Sequence, residues 1–206
     1  MTVPATLPAG YFDAMYIGAA DPWGFEDRWY EQRKYAISLA QLPAARYRRA
    51  FEPGCSVGVL TQLLARRCDA LLACDVAEAA VRVAAARTRE LPHVRVEQRD
   101  IAGPWPSGRF DLIVFSEILY YLGDHDLEQV LKNAAAALEP EGTLLALHWR
   151  HPVTDYPRSG DDVHHVLRGQ PGLARLVRHT EPDFLAEVYL RTDGTPVSVA
   201  QATGLV

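Results

Sequence analysis

The chain has 206 residues, 49% of them hydrophobic, which suits one α/β domain with a proper core and a few tens of residues to spare. A formal charge of −5 argues against a nucleic-acid groove, which needs many phosphate contacts. Three cysteines without a C-x-x-C pair exclude neither thiol chemistry nor packing, but they argue against a disulfide framework or a zinc site. Residues 1–10 are rich in Pro and Ala and read as a loose tail, with no basic-then-apolar leader pattern. No segment reaches membrane-spanning length, so a cytoplasmic protein with reduced thiols is expected.

Residues 11–41 are dense in aromatics. Asp21-Pro22-Trp23-Gly24 reads as a turn, and 26–41 as a helix ended by Pro43, forming an N-terminal helical cap. A regular alternation then begins. Strands are predicted over 49–52, 70–75, 94–98, 110–115 and 143–148, with helices over 60–67, 78–89 and 126–138 between them. Apolar runs separated by helices indicate βαβ units and a parallel sheet covered on both faces. Pro140-Glu141-Gly142 reads as a turn, 161–168 as a further helix, and 173–181 with 184–191 as an antiparallel pair closing the sheet. Residues 192–206 read as a tail.

Acidic and small residues recur at the strand ends. Glu52, Gly54 and Gly58 follow the first strand, Asp75 the second, Asp100-Ile101 the third and Ser116-Glu117 the fourth. In open α/β sheets ligands bind outside these carboxyl ends. The Gly54–Gly58 turn, with Cys55 and Ser56 inside it, permits close backbone approach. Asp75 suits both ribose hydroxyls, Asp100 an adenine amino group, and Val76 with Ile101 a flat ring between them. A dinucleotide-binding oxidoreductase would want G-x-G-x-x-G, which the turn lacks, and Glu52 would sit badly beside a pyrophosphate.

With these residues in place, the chain resembles the class I S-adenosyl-methionine (SAM)-dependent methyltransferases. Glu52 to Gly58 is similar to that family's E/D-x-G-x-G-x-G, with Ser56 for the middle glycine. Leu138-Glu139-Pro140-Glu141-Gly142-Thr143-Leu144 resembles its L-x-P-G-G-x-L. The resemblance covers residues 48–191 and is nearest to the nodulation protein S (NodS)-like branch. It rests there on Tyr11-Phe12-Asp13-Ala14, Asp21-Pro22-Trp23-Gly24-Phe25, Trp29-Tyr30-Glu31-Gln32-Arg33-Lys34-Tyr35, Ser116-Glu117-Ile118-Leu119-Tyr120-Tyr121-Leu122 and His148-Trp149-Arg150-His151-Pro152.

The resemblance implies a Rossmann-like fold: a mostly parallel seven-stranded sheet with a terminal antiparallel pair and an N-terminal helical lid. It divides one domain into tail and lid (1–47), core (48–191) and tail (192–206). It implies SAM as cofactor, S-adenosyl-homocysteine (SAH) as product, and a small polar metabolite as acceptor. N-methylation of an amino sugar is the leading reaction. O-methylation of a small hydroxyl or carboxyl, and a non-catalytic SAM-binding protein, stay open beside it. Cofactor contacts are expected from Trp23, Tyr30, Arg33, Glu52, Gly54, Cys55, Ser56, Gly58, Asp75, Val76, Asp100, Ile101 and Ser116, with Tyr30 or Arg33 reaching the methionine carboxylate.

His148, at the end of the fifth strand, is the leading candidate for a general base or an acceptor-orienting residue, with Glu117 second, to hold an ammonium or accept a proton, and Tyr120 beside them. Tyr121, Trp149, Arg150 and Tyr156 are expected around the acceptor, the last three on the long 148–162 segment. His148, His151, His164 and His165 show no metal-ligand spacing, so no metal is expected.

Overall fold

The structure, a computed structural model, describes residues 5–206. Seven strands form one sheet: β1 (Ala50–Pro53), β2 (Leu71–Asp75), β3 (Val94–Gln98), β4 (Phe110–Ser116), β5 (Leu138–Trp149), β6 (Leu173–Thr180) and β7 (Phe184–Arg191). Their order is β3-β2-β1-β4-β5-β7-β6. The first five run parallel, while β7 lies antiparallel to both β5 and β6. Strand order reverses between β1 and β4, and the carboxyl ends there open a crevice.

Alternate residues of the central strands feed two apolar layers. Phe51, Ile113, Phe115, Leu144 and Ala146 pack on one face with Leu127, Val130 and Leu131 of α5 (Asp124–Ala137) and Val163 and Leu167 of α6 (Gly160–Arg168). Ala50, Leu112, Val114, Leu145 and Leu147 pack on the other. There they meet Tyr35 of α2 (Trp29–Ala40) and Leu60 and Leu64 of α3 (Val59–Ala65). Helix α4 (Glu78–Thr88) lies over β2 and β3 and completes the βαβ units.

Several predicted boundaries move. The tail expected over 1–10 ends early, because α1 (Ala9–Gly18) begins behind the extended Pro8; residues 1–4 of that tail lie outside the described residues. Helix α2 starts at Trp29 rather than 26, since Glu26 to Arg28 stay in the preceding turn. Pro140-Glu141-Gly142 does not separate a helix from a strand. It forms a bulge inside β5, where Phe110 pairs with Leu138 and then Leu112 with Thr143. Glu141 takes φ 59° there, and a Cβ on Gly142 would meet the Glu139 carbonyl oxygen at 2.8 Å. The tail expected over 192–206 contains α7 (Val199–Ala202). Ser198 and Gln201 close it with a reciprocal capping box.

Candidate active site

A cavity of about 510 Å³ opens at the carboxyl ends of β1, β2, β4 and β5, roofed by α1, the 23–28 turn and α2. It lies within the size range of small-molecule and cofactor sites. One half is made by the β1–α3 turn and the ends of β2 and β3; the other by the turn after β4, the end of β5 and α2.

In the first half the backbone does the shaping. Gly54, Ser56 and Gly58 take φ of 73°, 47° and 78°, so three left-handed residues reverse the chain within five positions. The Gly54 and Cys55 N–H groups both donate to the Cys74 carbonyl, at 2.7 and 2.9 Å, stitching the turn to β2. A Cβ on Gly54 would lie 2.1 Å from Ile118 Cγ2. Gly58 does not face the cavity as expected. A Cβ there would come within 2.9 Å of the Ala84 Cα, so its role is to let α3 meet α4. Ser56 occupies a glycine-like conformation, and its hydroxyl is bonded to the Tyr16 hydroxyl of α1 at 2.6 Å.

Asp75 accepts from Ser56 N at 2.9 Å and Ala77 N at 3.0 Å, which aims its carboxylate along the cavity floor. Asp100 accepts from Ala102 N at 2.9 Å and, with Val76, Ile101, Ser116 and Trp23, lines the wall. Glu52 is 1% exposed, and its Oε2 has no partner among the described residues. Burial pushes its carboxyl up to about 8; Thr61 eases this only in part, and the Asp75 charge adds to it. A buried carboxylate oxygen without a donor is the feature that an ammonium or sulfonium would satisfy. These residues therefore fit an adenosyl sulfonium amino acid.

In the second half side chains do the work. Glu117, at φ 60°, accepts from Lys34 Nζ (2.7 Å), Tyr120 OH (2.8 Å) and Trp149 N (2.7 Å). Lys34 is 2% exposed and pairs with Glu31 as well, at 2.8 Å. Burial opposes its charge, but Glu117 and Glu31 outweigh that and raise its pKa, so it stays an ammonium. The rings of Tyr30, Tyr35 and Phe25 surround it at 5.3, 5.6 and 6.0 Å. Tyr120 stacks on Tyr156 at 4.9 Å and meets Tyr121 edge-on at 4.7 Å, while Tyr30 meets Trp149 edge-on at 5.5 Å. Burial first, and Glu117 second, hold the Tyr120 hydroxyl well above its ordinary pKa, so it donates as a neutral phenol. All of these rings line the cavity.

Besides Gly58, three expected site residues lie elsewhere. His148 is fully buried and does not line the cavity. Its Nε2 accepts the Leu119 N–H at 3.3 Å, and its Nδ1 faces His164 Nε2 at 3.1 Å. A backbone N–H only donates, so Nε2 carries the lone pair and Nδ1 the proton. His164 Nδ1 in turn meets Glu187 at 2.8 Å. Burial, then His164 and Lys34, hold His148 far below its usual pKa. It is a neutral structural residue, not the base. Arg33 points outward into a two-pronged pair with Glu181, both bonds 2.7 Å. Arg150 is taken by Asp161 at 2.9 and 3.1 Å and by the Glu181 carbonyl. The cation at the cavity mouth is instead Arg28, folded against Gly24, where a Cβ would lie 2.7 Å from its Nε.

Glu31 and Lys34 are site residues that sequence reasoning missed. Their i,i+3 spacing on a helix beside aromatics was the available signal. Among the described residues no group of three or more His, Cys, Asp or Glu side chains is placed to hold a metal ion, and no helix is long and apolar enough to cross a membrane.

The family model for Nodulation protein S (NodS) matches residues 14–155. A nodulation protein S of Rhizobium tropici is 34% identical over 134 residues, covering 63% of this chain and 55% of that protein. The aligned segment thus spans little more than half of that relative's length. A Pseudomonas syringae crystal structure assigned to a methyltransferase is 46% identical, with a TM-score of 0.70, covering 80% of this chain and 100% of the other. The N-methyltransferase NodS of Bradyrhizobium japonicum WM9, solved with SAH, is 25% identical with a TM-score of 0.79, covering 89% and 98%.

Proposed function

The chain belongs to the nodulation protein S family, and from that premise we propose that it is a SAM-dependent methyltransferase acting on the nitrogen of a small amine, an amino sugar being the acceptor class. The observation that carries this reading is the charge of the cavity. Its lining has six acidic side chains (Glu31, Glu52, Asp75, Asp100, Glu117, Asp126) against three basic ones (Arg28, Lys34, Arg99), with Glu52 gaining its charge when a cation is held there. Such a lining favours cationic ligands, and both a sulfonium cofactor and an amine arriving as ammonium are cationic. A carboxylate acceptor would meet like charge.

SAM, when bound, supplies a methyl group on a positively charged sulfur. The residues present would hold it through Glu52 at the amino group, Asp75 at the ribose and Asp100 at the base, with Arg28 at the carboxylate. Tyr120, Tyr121, Tyr156 and Trp149 wall the acceptor half, exclude water and offer ring faces to a cation. Positioning two reactants in this way supplies on the order of 7–11 kcal/mol of the barrier. The lid is tied at both ends: Leu7 N donates to Tyr121 O at 2.9 Å, Gly123 N to Thr6 Oγ1 at 2.9 Å, and Tyr16 meets Ser56.

The test is SAM and SAH titration by calorimetry, followed by SAH release across D-glucosamine, deacetylated chitooligosaccharides, and hydroxyl and carboxylate acceptors. Turnover with the amines is expected. Turnover confined to hydroxyl or carboxylate acceptors overturns the nitrogen assignment, and SAM binding without turnover on any acceptor overturns catalysis.

A further inference from the structure

We propose that Glu31 is the carboxylate that takes the proton from the acceptor's ammonium group. This rests on the amine reading above and names the catalytic residue of that same site.

An ammonium has no lone pair to attack with, so an N–H proton must leave first. Three groups beside the aromatic wall could receive it. His148 is outside the cavity, and its one lone pair is spent on Leu119 N–H. Glu117 faces the cavity, but its two oxygens already accept from three donors, Lys34 Nζ, Tyr120 OH and Trp149 N, which leaves it little room to take a proton. Glu31 is different. It lines the cavity, 7% exposed, with Oε2 against Lys34 Nζ at 2.8 Å and no protein donor on Oε1 among the described residues. Lys34 bridges it to Glu117, and through Glu117 to Tyr120 and Trp149, so Glu31 belongs to the charged network that backs the acceptor half.

Its environment suits the task. Burial raises the Glu31 carboxyl above its ordinary value; Lys34 lowers it, Glu117 raises it again, and the net direction is upward. A carboxylate raised in this way is a better proton acceptor than a free one. The step balances as follows. The acceptor's N–H bond breaks, an O–H bond forms on Glu31 Oε1, and the nitrogen keeps the electron pair. That pair forms the new N–CH3 bond as the C–S bond to the sulfonium breaks and its electrons return to sulfur. The proton on Glu31 then leaves to water at the cavity mouth. One proton is released per turnover.

Glu31→Gln keeps shape and Lys34 keeps Glu117 as its partner, so folding is expected to survive. SAH affinity by calorimetry, kcat with SAM and D-glucosamine, and the pH profile are measured on the full chain. Glu31→Gln should bind SAH within about twofold of wild type and lose about 100- to 1000-fold in kcat near neutral pH. The deficit should shrink as pH rises toward the pKa of the free amine, where bulk water removes the proton. Glu31→Asp should recover part of kcat and keep the wild-type profile, and it carries the test if the Gln variant does not fold. A wild-type kcat and profile in Glu31→Gln overturns the assignment. So does a large loss of SAH affinity, which would place Glu31 on the cofactor. Wild-type protein that binds SAH but releases none with any amine overturns the amine reading itself, and this assignment with it.

Discussion

The cofactor half of the cavity is held by backbone, and the acceptor half by side chains. In the first, the Gly54–Gly58 turn hangs on Cys74 O, and Asp75 is aimed by the N–H groups of Ser56 and Ala77. All of these lie within about one βαβ unit of sequence. In the second, Lys34 reaches across 83 residues to Glu117, and Leu119 is held by His148, 29 residues on. Backbone geometry of a strand–turn–helix follows from local residue types. A constellation of remote side chains follows only from the completed fold. The two halves should therefore fail differently when cut.

The largest expected effect is in the cofactor half. In the free protein the Glu52 carboxyl, raised to about 8, is roughly nine-tenths protonated at pH 7. Holding an ammonium needs the carboxylate, so SAM binding should release about one proton at pH 7. Calorimetry in buffers of different ionisation heat reads this directly. Glu52→Gln should abolish the release and weaken SAM about 100-fold, as expected for a buried charged hydrogen bond. Acceptor KM should not move. The sign for stability follows as well. A raised carboxyl keeps its proton in the folded state from about 4.5 to 8, so this contribution is present below that window and lost as pH rises through it. Urea midpoints of the free protein should fall across the window in wild type more than in Glu52→Gln.

A smaller effect is expected behind the acceptor half. Glu187 anchors the histidine relay. Burial pushes its carboxyl up, but His164, Tyr189 and Arg175 outweigh that and hold it down at about 2. The relay ends at Leu119 N, the first residue of the 3-10 turn that carries Tyr120 and Tyr121 into the cavity. His164→Ala should cost about 1–3 kcal/mol in urea unfolding, because it leaves His148 Nδ1–H without an acceptor. It should raise acceptor KM several-fold while leaving SAH affinity within about twofold. An equal loss on both ligands would show that the two halves are not separately supported.

The legibility of the sequence divides along the same line. The strand ends, the turn and the spaced Asp75 and Asp100 could be read because each is a local pattern, and of these residues Glu52, Gly54, Cys55, Ser56, Asp75 and Asp100 line the cavity while Gly58 does not. His148 misled because its position at a strand end was read without its parity. Along β5 it alternates with Leu147 and Trp149 and shares the face of Leu144 and Ala146, which α6 covers. That face is closed to ligand. Arg33 misled for a related reason: it lies about 100° around α2 from Lys34, on the side that meets Glu181 rather than the cavity side of Tyr30, Glu31 and Lys34. The Lys34–Glu117 pair had no local signal at all.

The smallest effect concerns Ser56, where the cofactor half touches the lid. Its φ of 47° is a conformation that glycine adopts freely and serine does not, at a cost of about 1 kcal/mol. Its hydroxyl bonds Tyr16 at 2.6 Å, and no side chain of α1 is fully buried, so this bond helps to fasten the lid. The serine thus exchanges backbone ease for a latch. Ser56→Gly should relieve the strain and lose the latch, leaving urea stability within about 1 kcal/mol of wild type, since the two terms oppose. Tyr16→Phe removes only the hydrogen bond and should lower stability slightly. SAH dissociation, followed by stopped-flow fluorescence of Trp23, should be a few-fold faster in both variants. Faster release in Ser56→Gly alone would place the effect in the turn's backbone rather than in the latch.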